Sequence, residues 1–141
     1  MRGVGSFWLA ACYCLIWLAF SVLIIALGNP GPPSNVAPSA DLFELLESIA
    51  IAPLVENAIY IALLSLVDAT NRQNLVAAIF AAVMALFHWP WRAIPAFGLF
   101  FIIALFCMAN RNRRPRFAFW GGVILHSMFN LPAALATYFD L

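Results

Sequence analysis

The chain has 141 residues, of which 65% are hydrophobic and 9% charged, with a formal net charge of +1. A water-soluble domain of this size needs far more polar residues to cover its surface. Nucleic-acid binding is excluded too: it needs a basic face, and the only tight group among the seven basic residues is a short loop between apolar runs.

Spanning a bilayer takes about 20 mostly apolar helical residues. Five stretches approach that length, at residues 7–27, 41–67, 75–89, 93–109 and 117–138. They predict an all-α polytopic membrane protein, a bundle of about five transmembrane helices forming a single transmembrane domain over residues 1–141. The first stretch follows Arg2 and ends at Ala26-Leu27-Gly28, which has the look of a signal peptide. Its apolar run is too long for one, so it reads as a retained helix. Gly28-Asn29-Pro30-Gly31-Pro32-Pro33 ends it and leads into a Pro- and Ser-containing loop.

Asp41 and Glu44 mark the start of the second helix, with acid near the positive end of the dipole. Glu44 and Glu47 are expected to be interfacial charges. Residues 68–72 separate the second stretch from the third, and Trp89-Pro90-Trp91-Arg92 predicts a short hairpin before the fourth. The third and fourth stretches are short, and residues 110–116 form a basic loop before the fifth. Cys12, Cys14 and Cys107 lie in apolar runs with no zinc-ribbon or disulfide spacing, and are expected to be buried thiols. No internal repeat is present.

Arginine bias sets the orientation. With the amino terminus cytoplasmic, Arg2, Arg72, Arg111, Arg113, Arg114 and Arg116 all lie inside and Arg92 alone lies outside. Five spans then put the carboxyl terminus outside. The expected location is a cell membrane, most simply a bacterial inner membrane.

Ionisable groups within a span are costly and usually face a bundle interior or a water-filled cavity. Counting along ideal helices from the arginine-rich side puts Glu56 about 18 Å in, His88 about 20 Å and His126 about 14 Å. Three different helices thus bring these residues to a shared depth, which predicts one site. In His126-Ser127-Met128-Phe129-Asn130 the His and Asn are four apart and leave one helix face together. Two donors aimed at one point suit a developing oxyanion, although a His–Asn pair taken alone more commonly bonds a neighbouring helix.

Ala52-Pro53-Leu54-Val55-Glu56-Asn57-Ala58-Ile59-Tyr60, then Leu86-Phe87-His88, then His126-Ser127-Met128-Phe129-Asn130 resembles the CPBP family of intramembrane proteases, the CAAX-prenyl endopeptidase or Abi relatives. The resemblance covers residues 41–141 as a CPBP-like catalytic core. It implies an intramembrane endopeptidase of the glutamic type, without a cofactor, acting on membrane-associated peptides or proteins among membrane lipids. Glu56 falls on the first glutamate of the family's Glu-Glu motif and Tyr60 on its aromatic position. His88 matches the histidine of the second motif, and His126 and Asn130 match the last. The implied roles are general base for Glu56, water holding for His88, and oxyanion stabilisation for His126 and Asn130.

Asn57 and Ile61 depart from the pattern, where the family has a second glutamate and an arginine, and Met84 stands where an aromatic is usual. Losing both partners of a buried ion pair together can be nearly neutral, so the two changes read as one linked replacement that leaves the core intact. Three alternatives remain. One is a zinc enzyme with Glu56, His88 and His126 as ligands, although the HExxH pairing usual on one chain is absent. Another is a degenerate scaffold that binds a partner helix, and the weakest is a proton carrier.

Overall fold

The structure is a computed structural model that describes residues 2–28, 41–66, 73–88, 90–112 and 114–138. The loops expected at residues 29–40 and 68–72, together with Arg113 and Asp140, lie outside the described residues. Among the described residues, six α-helices follow in chain order: α1 (Arg2–Gly28), α2 (Leu42–Leu46), α3 (Ala52–Ser65), α4 (Gln73–Leu86), α5 (Pro90–Asn110) and α6 (Pro115–Tyr138). A π-helical turn, Glu47–Ile51, joins α2 to α3 in one rod. Among the described residues, four rods are long and apolar enough to cross a membrane: Gly5–Ile24, Leu42–Leu64, Arg92–Asn110 and Pro115–Leu135. The fifth, α4, has 14 residues and is about 21 Å long, well short of a roughly 30 Å hydrocarbon core. The chain is therefore an all-α bundle of five rods, as expected. The fourth expected span proves full length, because its helix begins earlier than its apolar run.

That earlier start corrects the hairpin expected at Trp89-Pro90-Trp91-Arg92. Helix α5 begins at Pro90, so Pro90, Trp91 and Arg92 are its first turn. A helix leaves its first N–H groups unbonded, which makes the missing N–H of proline harmless there. The chain reverses instead around Phe87 and His88, whose backbone N–H groups close onto the carbonyls of Met84 and Ala85.

The π turn was not foreseen, and Pro53 explains it. A proline inside a helix lacks an N–H and clashes with the carbonyl four residues back. Here the ladder slips by one residue just before Pro53, and the Ala52 N–H donates five residues back, to Glu47. Asp41 caps the rod, its Oδ1 accepting from the Glu44 N–H at 2.9 Å. Glu44 and Glu47 are both exposed at this end.

Helix α5 is the hub. Its span is 61% buried against 17–33% for the other three, and α1, α3, α4 and α6 all pack on it. Gly98 lets α1 come close: a Cβ there would land within the indole of Trp17, whose Nε1–H donates to the Pro95 carbonyl at 2.8 Å. Large apolar side chains such as Trp8, Ile16, Ile59, Ile79 and Trp120 stay more than half exposed, a surface that lipid covers and water would not.

Buried polar side chains turn to their own helices. Ser21 donates to the Trp17 carbonyl at 2.7 Å, and Asn110 to that of Phe106 at 2.8 Å. Each bond runs four residues back, satisfying a polar group where water is scarce. At one end of the bundle Ser6 meets Asn110, Phe7 packs on Phe106 and Phe117, and the Arg111 guanidinium donates to the Leu64 carbonyl. That end gathers the start of α1, the end of α3 and the α5–α6 corner with Arg111, Arg114 and Arg116. Arg92, at the opposite end of α5, lies away from them. The three cysteines are free, and Cys14 and Cys107 are buried. Cys12 corrects the expectation of a buried thiol: it is exposed, because a step of two residues turns a helix face by about 200°.

Candidate active site

Pro53, Asn57, Tyr60 and Leu64 are buried on one face of α3, spaced three or four apart as one helical stripe requires. Glu56 sits at the edge of that stripe. Its side chain is 31% exposed, and Oε2 lies 3.9 Å from Nε2 of His126 on α6. That oxygen is buried without a hydrogen-bond partner, while the rest of the carboxylate opens outward. His126 itself is 2% exposed. A separation of 3.9 Å is too long for a direct hydrogen bond and leaves the two groups as a loose polar contact.

The imidazole of His126 is held from its other side. Nδ2 of Asn57 lies 3.2 Å from His126 Nδ1 and donates to the Pro53 carbonyl at 2.7 Å. Asn57 is fully buried, and its Oδ1 has no hydrogen-bond partner. Gly122 of α6 makes room for this amide, since a Cβ there would come within 2.9 Å of Oδ1.

Phe100 of α5 forms the floor. It is fully buried, and its ring lies edge-on to His126 with centroids 5.1 Å apart. His88 packs on the same ring at 5.8 Å, and Tyr60 at 5.7 Å. Tyr60 also donates its hydroxyl to the Phe100 carbonyl at 2.9 Å, which ties α3 to α5. His88 Nδ1 lies 3.0 Å from the Met84 carbonyl. A carbonyl can only accept, so Nδ1 carries a hydrogen and donates it there.

The expected site residues thus divide. Glu56 and His126 meet face to face, and His88 joins them through the shared Phe100 ring. Asn130 turns elsewhere: its amide donates to the Ser48 carbonyl in the π turn at 3.0 Å. That carbonyl is in need of a donor. Ala52 has donated to Glu47, and the next residue, Pro53, has no N–H to give. Among the described residues no three His, Cys, Asp or Glu side chains gather closely enough to hold a metal ion. Glu56, His88 and His126 therefore do not form an assembled zinc ligand set.

Asn57 and Phe100 were missed from sequence. Asn57 read as the relic of a lost acid, and nothing distinguishes Phe100 among thirteen phenylalanines. The signal that could have found Asn57 is an amide within an apolar span, beside Glu56 and four residues after a proline. An apolar groove lined by Ile49, Ile124, Ser127, Met128 and Leu131 runs between the π turn and α6. Neither Glu56 nor His126 lines it.

Comparison with protein-family models, with curated proteins and with solved structures finds no match for this chain.

Proposed function

We propose that the chain is an intramembrane endopeptidase that hydrolyses peptide bonds of membrane-associated substrates with a water activated by Glu56. The observation that carries this reading is the pairing of Glu56 with the Nε2 face of His126, two polar groups from separate apolar helices brought within 3.9 Å. Such groups are expensive in a membrane and are kept for chemistry more often than for packing. The motif resemblance supplies the reaction class.

In this mechanism Glu56 takes a proton from the water as its oxygen attacks the carbonyl carbon. The carbonyl oxygen gains the negative charge, and a neutral His126 donates to it from Nε2. The C–N bond then breaks as Glu56 returns its proton to the leaving amine. His88, packed on the same Phe100 ring, takes the water-holding role that the motif resemblance implies. Asn130, bonded to Ser48, supports the rod that carries Glu56. The arginines favour a cell membrane, a bacterial inner membrane in the simplest case, with the amino-terminal end and the α5–α6 corner cytoplasmic.

The test is cleavage of lipid-anchored fluorogenic peptides in proteoliposomes by the full chain and by Glu56→Gln. The variant should insert and fold normally while cleavage falls by about 10²–10⁴-fold, the usual worth of a general base. Full activity in folded Glu56→Gln would sink the assignment. One observation favours a second reading, a non-catalytic scaffold for a partner helix: the Asn130 amide is committed to the Ser48 carbonyl rather than to an oxyanion position. Absence of Glu56-dependent cleavage across such substrates would leave that scaffold as the better reading.

A further inference from the structure

We propose that Asn57 is the positioning residue of this site: its amide fixes His126 as the tautomer whose Nε2–H faces Glu56. The inference deepens the peptidase reading and rests on it for its functional meaning. Pro53 settles the orientation of the amide. Its carbonyl lies 2.7 Å from Nδ2 of Asn57 and can only accept, so the Asn57 atom facing it must be the nitrogen. The alternative amide orientation would set two oxygens against each other.

The same nitrogen lies 3.2 Å from His126 Nδ1. One of its two hydrogens goes to Pro53 and the other points at the ring. A hydrogen on Nδ1 would meet that N–H head on, so Nδ1 must be the bare acceptor and the ring proton must sit on Nε2. Nε2 is the atom 3.9 Å from Glu56. The donors therefore point in one direction, from Asn57 to the imidazole, whose Nε2–H faces the Glu56 carboxylate.

A second observation argues that this arrangement is not merely stabilising. Oδ1 of Asn57 is buried without a partner, and the residue is fully enclosed. An apolar side chain of similar size would avoid that unmet acceptor. It could not orient the ring.

The experiment is ¹⁵N spectroscopy of the histidine rings in the full chain, reconstituted in lipid nanodiscs. The sequence has two histidines, and His88→Gln assigns them. Wild-type His126 should show an unprotonated Nδ1 and a protonated Nε2 as a single tautomer. Asn57→Leu should release it into a mixture. Asn57→Asp puts an oxygen that can accept opposite the ring and should move the proton to Nδ1. In parallel, kcat in the leucine variant should fall by about 10²-fold with KM little changed, as for loss of one preorganised donor. A wild-type ring protonated on Nδ1 overturns the proposal without any variant, and so does an Asn57→Leu ring that keeps the single Nε2–H tautomer. The ring signal does not depend on cleavage. Activity that survives Glu56→Gln would instead overturn the peptidase reading and leave the tautomer result standing.

Discussion

Replacing Asn130 by alanine separates two roles that one residue can play. If Asn130 holds the π turn, the loss falls on stability. The Ser48 carbonyl receives the Asn130 amide at 3.0 Å, while Ala52 donates to Glu47 and Pro53 has nothing to donate. Removing the amide strands that carbonyl. In the middle of a bilayer the cost would be several kcal/mol. Ser48, however, is six residues past the start of α2 at Leu42, only about 9 Å along the rod, and it adjoins exposed Glu47. Ser48 is itself exposed, which places it nearer the interface than the bilayer centre. Hydrogen bonds between membrane helices average about 0.6 kcal/mol, with about 1.7 at most. A loss of about 1–1.5 kcal/mol follows, the upper part of that range because no backbone donor stands in. The assay is reversible unfolding in mixed micelles, run as a double-mutant cycle with Pro53→Ala. Alanine at 53 restores an N–H that can reach Ser48, so in that background Asn130→Ala should cost less than about 0.5 kcal/mol. The cycle cancels the packing that Pro53→Ala itself disturbs. Equal cost in both backgrounds would refute the link between Pro53, the π turn and Asn130. Unchanged stability with cleavage reduced about 10²–10³-fold would instead return Asn130 to the oxyanion.

Gly98→Ala should destabilise the bundle by about 1–3 kcal/mol, because its Cβ lands in the Trp17 indole; the same unfolding assay reads it, and Trp17→Leu in the same chain should relieve most of the loss. Gly122→Ala puts a Cβ within 2.9 Å of Asn57 Oδ1. It should shift the His126 ring signals and lower cleavage by up to about 10²-fold in folded protein, whereas unaltered ring signals would show that the amide tolerates the methyl group. Neutralising Arg111, Arg113, Arg114 and Arg116 should weaken insertion or orientation by about 1 kcal/mol apiece and leave cleavage by inserted protein unchanged. In a cysteine-free background, single cysteines at Arg92 and Arg114 should label from opposite sides of the membrane, the one at Arg92 from outside, and the reverse pattern would overturn the orientation.

Apolar run lengths and their polar interruptions were enough to place the helices, since a backbone in lipid must satisfy its own hydrogen bonds and does so as a helix. The same apolar background made Glu56, His88 and His126 stand out, and counting 1.5 Å per residue brought them to one depth. Rotation about each helix axis was not legible. In a soluble protein the polar face points to water and so reveals the inward face; in lipid the outer face is as apolar as the core. Hence only the packed bundle turned Glu56 toward His126 and set Phe100 beneath them. Only the packed bundle, too, gave Asn57 a partner, because its neighbour lies 69 residues away on α6. Asn130 went to the π turn for a reason present in the sequence but invisible without the fold: Pro53 removes a donor, and whichever side chain lies across from the orphaned carbonyl must supply another.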